Sequence, residues 1–286
     1  KMKNKMGSKE FAAVALQVAR ESITLLKNEN DQLPLAKNKK VLVTGPTATS
    51  LVQLNGGWTY TWQGTEEALY PKDKNTILEA IEEKVGKQNL TYIPGTSFDK
   101  EIDIQSVVEG SKNADVAIVC LGENAYCETP GNINDLTLPK AQLKLAEALE
   151  QTGIPVVLVL VEGRPRIINR IVDDAGAILM AYLPGNEGGL AVADVLFGDF
   201  NPCGKLPITY PRYHNALYSY DHKYNEVKGP NKYDPQFPFG HGLSYTTFEY
   251  SNLVLDKKKI TTSLPLTVKV DVKNTGKRPG KEVVIL

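Results

Sequence analysis

The stretch Asp115-Val116-Ala117-Ile118-Val119-Cys120-Leu121 decides the fold. After its single leading charge every side chain is apolar, so neither alternating set faces water. That pattern belongs to a strand covered on both faces, as in a parallel sheet with helices above and below. Shorter apolar runs of the same kind predict strands at 40–45, 90–93, 155–161 and 177–182. Between them, helical spacing recurs at 76–85, after Pro139, at 167–172 and at 188–197, and an amphipathic helix is expected over 9–26, with Phe11, Val14 and Val18 on one face and Ser8 as its cap. Alternating strands and helices give an α/β fold, a mainly parallel sheet flanked by helices, over residues 37–212.

The pattern changes beyond residue 212. Residues 213–247 are a linker, rich in Tyr, Asn, Asp, Lys and Pro without periodicity over most of their length. From residue 248 the period becomes two: Leu266, Val268, Val270 and Val272 alternate with polar residues, Asn274-Thr275-Gly276 makes a turn, and residues 282–286 start another strand. These features open an all-β sandwich. Residues 1–36 hold the first helix and a linker, and the run of β pattern up to the last residue leads us to expect a piece of a longer protein.

Charge and cysteine content exclude several functions. Thirty-three basic residues balance thirty-three acidic ones, so no net field draws the chain to nucleic acid or to an anionic membrane. No apolar run reaches the ~20 residues of a membrane-spanning helix. The three cysteines, Cys120, Cys127 and Cys203, lack zinc-ligand spacing, and no metal or organic cofactor is expected. The glycines after the first strand form neither dinucleotide nor P-loop signatures, and a G-x-S-x-G nucleophile elbow is missing.

Two loops carry the chemistry. Both tryptophans lie in Gly57-Trp58-Thr59-Tyr60-Thr61-Trp62-Gln63-Gly64, and flat aromatics on a Gly-bounded loop suit the apolar C–H faces of sugars as well as they suit a core. The second loop, Gly122-Glu123-Asn124-Ala125-Tyr126-Cys127-Glu128-Thr129-Pro130-Gly131, leaves the carboxyl end of the 115–121 strand, where open α/β sheets collect their ligand-binding residues. A glutamate there is either a solvated loop residue or a group that protonates a leaving oxygen once substrate buries it. Glu128 is the first candidate. Glu123, nearer the strand, is the second.

Seven segments in order resemble the carboxyl-terminal part of a glycoside hydrolase family 3 enzyme of the β-glucosidase type. They are residues 19–28, the Trp58–Trp62 loop, the 122–128 loop, Leu183-Pro184-Gly185-Asn186-Glu187-Gly188-Gly189, residues 194–199, Asn201-Pro202-Cys203-Gly204-Lys205-Leu206-Pro207, and Phe239-Gly240-His241-Gly242-Leu243-Ser244-Tyr245. The resemblance implies an amino-terminal barrel that is missing here, then an α/β sandwich, then a truncated fibronectin-III-like domain over 248–286. It implies a retaining exo-acting β-glycosidase of β-linked oligosaccharides or glycosides, with Glu128 as acid/base and Trp62, with Trp58, at the leaving-sugar subsite. The nucleophilic aspartate would lie on the barrel, so this chain alone is expected to be inactive. A periplasmic or secreted location also follows from the resemblance only. The alternative is a non-catalytic carbohydrate-binding or structural domain of a multidomain glycosidase.

Overall fold

A computed structural model describes residue 5 and residues 7–216, 233–261 and 264–285. Its main sheet has six strands: β1 (Thr24–Asn28), β2 (Val41–Thr44), β3 (Leu90–Tyr92), β4 (Val116–Gly122), β5 (Val156–Val161) and β6 (Ala177–Met180). They lie in the order β1-β6-β5-β4-β2-β3, parallel except for β1, which runs antiparallel to β6. The long apolar strand β4 is therefore central, and all seven of its residues are buried.

The two sets of alternating side chains feed separate cores. Val116, Ile118 and Cys120 share one face with Val157, Val159 and Val161, under helices α1 (Lys9–Ser22), α3 (Ile77–Val85) and α6 (Gly188–Leu196). Ala117, Val119 and Leu121 point the other way, with Leu158 and Leu160, against α4 (Ile104–Ser111) and α5 (Lys140–Glu150). A fourth, short helix on the first side, α2 (Leu51–Asn55), leads into the tryptophan loop. Helix starts follow local chemistry. Thr76 and Glu79 form a reciprocal capping box at α3, and Asp103 accepts the Ser106 amide hydrogen at 2.9 Å at α4.

Several expectations are corrected. The first helix stops at Ser22 rather than Leu26, although Ser8 caps its start as expected. Residues 24–28 instead pair with β6, because the sheet edge offers the backbone a ladder and the core takes Ile23, Leu25 and Leu26. Phe11, Val14 and Val18, the stripe that signalled the helix, remain exposed. Residues 167–172 form a bridge and turns, not a helix: Ile167 exchanges backbone hydrogen bonds with Leu136 and Leu138, while Ile168 and Ile171 fill the core. Residues 282–285 are not a strand. The Glu282 side chain pairs with Lys205 and accepts from the Tyr250 hydroxyl. Helices α2 and α4 were not foreseen.

The period-two region forms an antiparallel ribbon of β7 (Phe248–Leu255) and β8 (Val268–Asn274). The part of the linker at 217–232 lies outside the described residues. The chain on either side of it is joined by a bridge between Tyr210 and Phe237, and Leu243 bridges Leu25 of β1.

One backbone contact fixes how β4 ends. Gly122 pairs with Val161 at φ 148°, and an added Cβ would lie 1.8 Å from the Val161 carbonyl oxygen. Gly153, at φ 78°, has open space around it. Gly122→Ala is expected to cost about 3 kcal/mol or more in urea unfolding, against about 1–2 kcal/mol for Gly153→Ala, where only backbone strain is at stake.

Candidate active site

Because β4 and β5 run parallel and in register, their carboxyl ends bring two acidic residues together, Glu123 and Glu162. The Glu123 residue is only 7% exposed, and its Oε1 accepts from Arg164 Nε at 2.8 Å and from the Arg166 guanidinium at 2.6 Å. A half-buried and a buried guanidinium thus share one oxygen of Glu123, while its Oε2 is buried without a hydrogen-bond partner among the described residues. Arg166 also donates to the carbonyls of Leu136 and Thr137, at 3.0 and 2.6 Å.

Glu128 differs in every respect. It is exposed, and among the described residues no ion pair or side-chain hydrogen bond engages its carboxylate. Its backbone sits at φ 52°, ψ −147°, a region in which L side chains are strained. Such strain persists only where the surroundings impose it, and it costs of order 1–3 kcal/mol.

The tryptophan loop is a tight hairpin. Trp58 N–H donates to the Trp62 carbonyl at 2.9 Å, with Trp58 and Tyr60 both in the left-handed region. Trp58 and Trp62 are 68% and 48% exposed, so neither indole is core filling. Tyr60 packs edge-on against Tyr70 and accepts from Asn186, which joins the hairpin to the 183–187 loop.

Gln63 joins the two loops. Its Oε1 accepts from Cys127 N at 3.2 Å, and its Nε2 donates to the Cys127 carbonyl at 3.3 Å. The Cys127 thiol donates to the Trp62 carbonyl at 2.9 Å. Gly57 completes the seam, because a Cβ there would lie 2.4 Å from the Tyr126 carbonyl oxygen. Trp62 and Glu128 are thus each one residue from a hydrogen-bonded pair, Gln63 and Cys127.

A family model described as the glycosyl hydrolase family 3 C-terminal domain matches residues 23–245. The chain belongs to glycosyl hydrolase family 3. Its relatives include a lysosomal beta glucosidase of Dictyostelium discoideum, 40% identical over 98% of this chain and 36% of the relative, and a periplasmic beta-glucosidase of Salmonella typhimurium, 36% identical over 94% and 39%. A beta-xylosidase of Formosa agariphila is 38% identical over 97% of this chain and 40% of its own length. A beta-glucosidase from Listeria innocua, solved in complex with glucose, superposes with a TM-score of 0.81 at 30% identity, covering 96% of this chain and 39% of that one. The chain spans about two-fifths of the length of these family members.

Within this family 3 domain, Gln63, Arg164, Arg166 and Glu162 went unrecognised in the sequence. The two arginines follow β5 directly in Gly163-Arg164-Pro165-Arg166, the same strand-end position that singled out the Glu128 loop, and that signal was available. Glu162 is fully buried, and burial pushes its carboxyl up to about 8. The Tyr210 hydroxyl and the Arg166 amide, which donates to Glu162 Oε1 at 3.2 Å, act in the opposite sense without offsetting burial. The Tyr210 hydroxyl lies 2.8 Å from Glu162 Oε1 and 2.7 Å from the Arg166 carbonyl, yet has one hydrogen to donate. Both contacts are satisfied when Glu162 is protonated and donates to Tyr210. Among the described residues no cluster of metal-ligating side chains forms, and no helix is long and apolar enough to cross a membrane.

A carboxyl raised on folding binds its proton more tightly in the native state. Stability from this group is therefore greatest below its ordinary value near 4.5 and declines as pH rises through about 8. The decline has a limiting slope of about 1.4 kcal/mol per pH unit. Glu162→Gln, which mimics the neutral form, should flatten the pH dependence of the urea midpoint between those values. An unchanged slope would show that Glu162 is ionised in the native protein.

Proposed function

We propose that this chain supplies the general acid/base and the leaving-sugar subsite of a retaining, exo-acting β-glucosidase. The observation that carries the reading is Glu128, exposed and uncompensated on strained backbone, tied through Gln63 and Cys127 to the Trp58–Trp62 hairpin. A carboxyl at the domain rim is the arrangement a proton donor needs when substrate and an opposing surface complete its burial. Glu128 protonates the glycosidic oxygen, then acts as base on the water that releases the sugar. The second carboxyl of a retaining pair, about 5–5.5 Å away, attacks the anomeric carbon. That nucleophile is an aspartate on an amino-terminal barrel, part of the remaining length over which the relatives extend beyond this chain. The Trp62 indole, with Trp58, stacks on the leaving sugar and contributes about 1 kcal/mol or more.

The rest of the organisation follows the same reading. Residues 1–36 lead in from the barrel, 37–212 are the sandwich with β1 added at its edge, 213–247 connect, and the β7–β8 ribbon begins a fibronectin-III-like domain. A location outside the cytosol, periplasmic or secreted, fits the lysosomal and periplasmic beta-glucosidases among its relatives.

The 286-residue chain alone should not hydrolyse an aryl β-glucoside; turnover would place a nucleophile within it. In the protein that includes the barrel, Glu128→Gln should lower turnover by about 10²-fold or more, with azide restoring part of it for substrates with good leaving groups. If Glu128→Gln is silent, the acid/base lies elsewhere. Glu128→Gly removes both the carboxyl and the backbone strain, so it should abolish hydrolysis while raising stability by about 1 kcal/mol in denaturant titration.

A further inference from the structure

The loop that carries Glu128 is gripped at three points by one side chain. Arg164 Nε donates to Glu123 Oε1 at 2.8 Å, at the loop's start. The guanidinium carbon stands 4.0 Å over the centre of the Tyr126 ring, in its middle. One terminal nitrogen donates to the Gly131 carbonyl at 2.7 Å, at its end. Glu128 lies between the second and third of these points, where its own carbonyl accepts from Gly131 N–H at 2.9 Å. A planar, permanently charged fork with a stacking face can make all three contacts at once, and an ammonium cannot.

We propose that Arg164 is the positioning residue for the acid/base: by closing the 123–131 loop into a rigid arc it imposes the left-handed backbone at Glu128 and aims the carboxyl away from the domain. This rests on the reading of Glu128 as the proton donor. Arg164 touches no substrate itself. Arg166, which shares Glu123 Oε1 but otherwise binds the carbonyls of Leu136 and Thr137, anchors the following segment instead. Without Arg164, Arg166 still neutralises Glu123, but Tyr126 and the Gly131 carbonyl lose their common partner and the strained residue relaxes.

Two readouts test the clamp. In the 286-residue chain, Cys127 reports on the loop, because the Cys120 and Cys203 thiols are buried and raised, Cys120 to about 12. Arg164→Met should speed reaction of Cys127 with a disulfide reagent by about 5-fold or more, and Arg164→Lys, which keeps the charge and loses the fork, by nearly as much. In the protein that includes the barrel, both variants should lower kcat/KM by about 10-fold or more for glucosides with poor leaving groups, while kcat/KM for 2,4-dinitrophenyl glucoside, whose departure needs little protonation, falls by less than about 3-fold. Equal losses on both substrates, or unaltered thiol kinetics in both variants, would overturn the proposal. Glu128→Gln, measured alongside, separates the two ideas: if it is silent while Cys127 is released, the clamp stands as a loop clamp and the identity of the proton donor has failed. Should Arg164→Met not fold, Arg164→Lys carries both measurements.

Discussion

The hydrogen-bond register between β4 and β5 governs the functional end of this domain. Gly122 lies beside Val161 because the two strands run parallel with Ala117 opposite Val156, and every later pairing follows from that one. The first residue past each strand is a glutamate, and each would be costly to bury alone. Neutralisation takes two forms. Glu123 is matched by two guanidinium groups, whereas Glu162 lies beside the Tyr210 hydroxyl with its carboxyl pushed up to about 8 by burial. A one-residue slip between the strands would turn the side chains of β5 to the opposite faces and separate Glu123 from both arginines. The geometry of the chemistry thus depends on a sheet contact rather than on the loops themselves.

The loops then rely on different kinds of support. Ion pairs and a stacked cation hold the Glu128 arc, and neutral amide hydrogen bonds hold the tryptophan hairpin to it. Both sets of bonds are part-buried, but those of Arg164 are charge-assisted and stronger than the neutral bonds of the Gln63 seam, worth about 1 kcal/mol each. The exposed Glu128 carboxylate therefore sits on a charge-braced arc beside an aromatic loop held by neutral bonds.

Much of the scaffold was readable from composition patterns alone. The apolar run at 115–121 predicted a strand buried on both faces, and β4 is one, at the centre of a mainly parallel sheet. The strand-end rule also led to the Glu128 loop and correctly marked it as exposed. The errors share a cause: tertiary pairing overrode local periodicity. Residues 23–26 continue the helical spacing, yet the edge of β6 draws them into β1, and Ile167 is held by backbone bonds to Leu136 and Leu138. Helix α2 is too short to show a period. Arg164 and Arg166 were hidden differently, since a charged side chain near a strand end looks like surface until its buried partner is known. That the arginines reach Glu123 and leave Glu128 without an ion pair was beyond any spacing rule, because it depends on the fold.

The margins of the main sheet have a consequence for the molecule in solution. One border, β3, is only three residues long and runs at once into Pro94 and Gly95. The other, β1, is interrupted by a bulge between Leu25 and Lys27, and Leu243 N–H donates to the Leu25 carbonyl. Neither border offers a long straight row of free amides on which a neighbouring molecule could grow a continuous ladder. The sheet therefore carries its own protection against edge-wise strand addition.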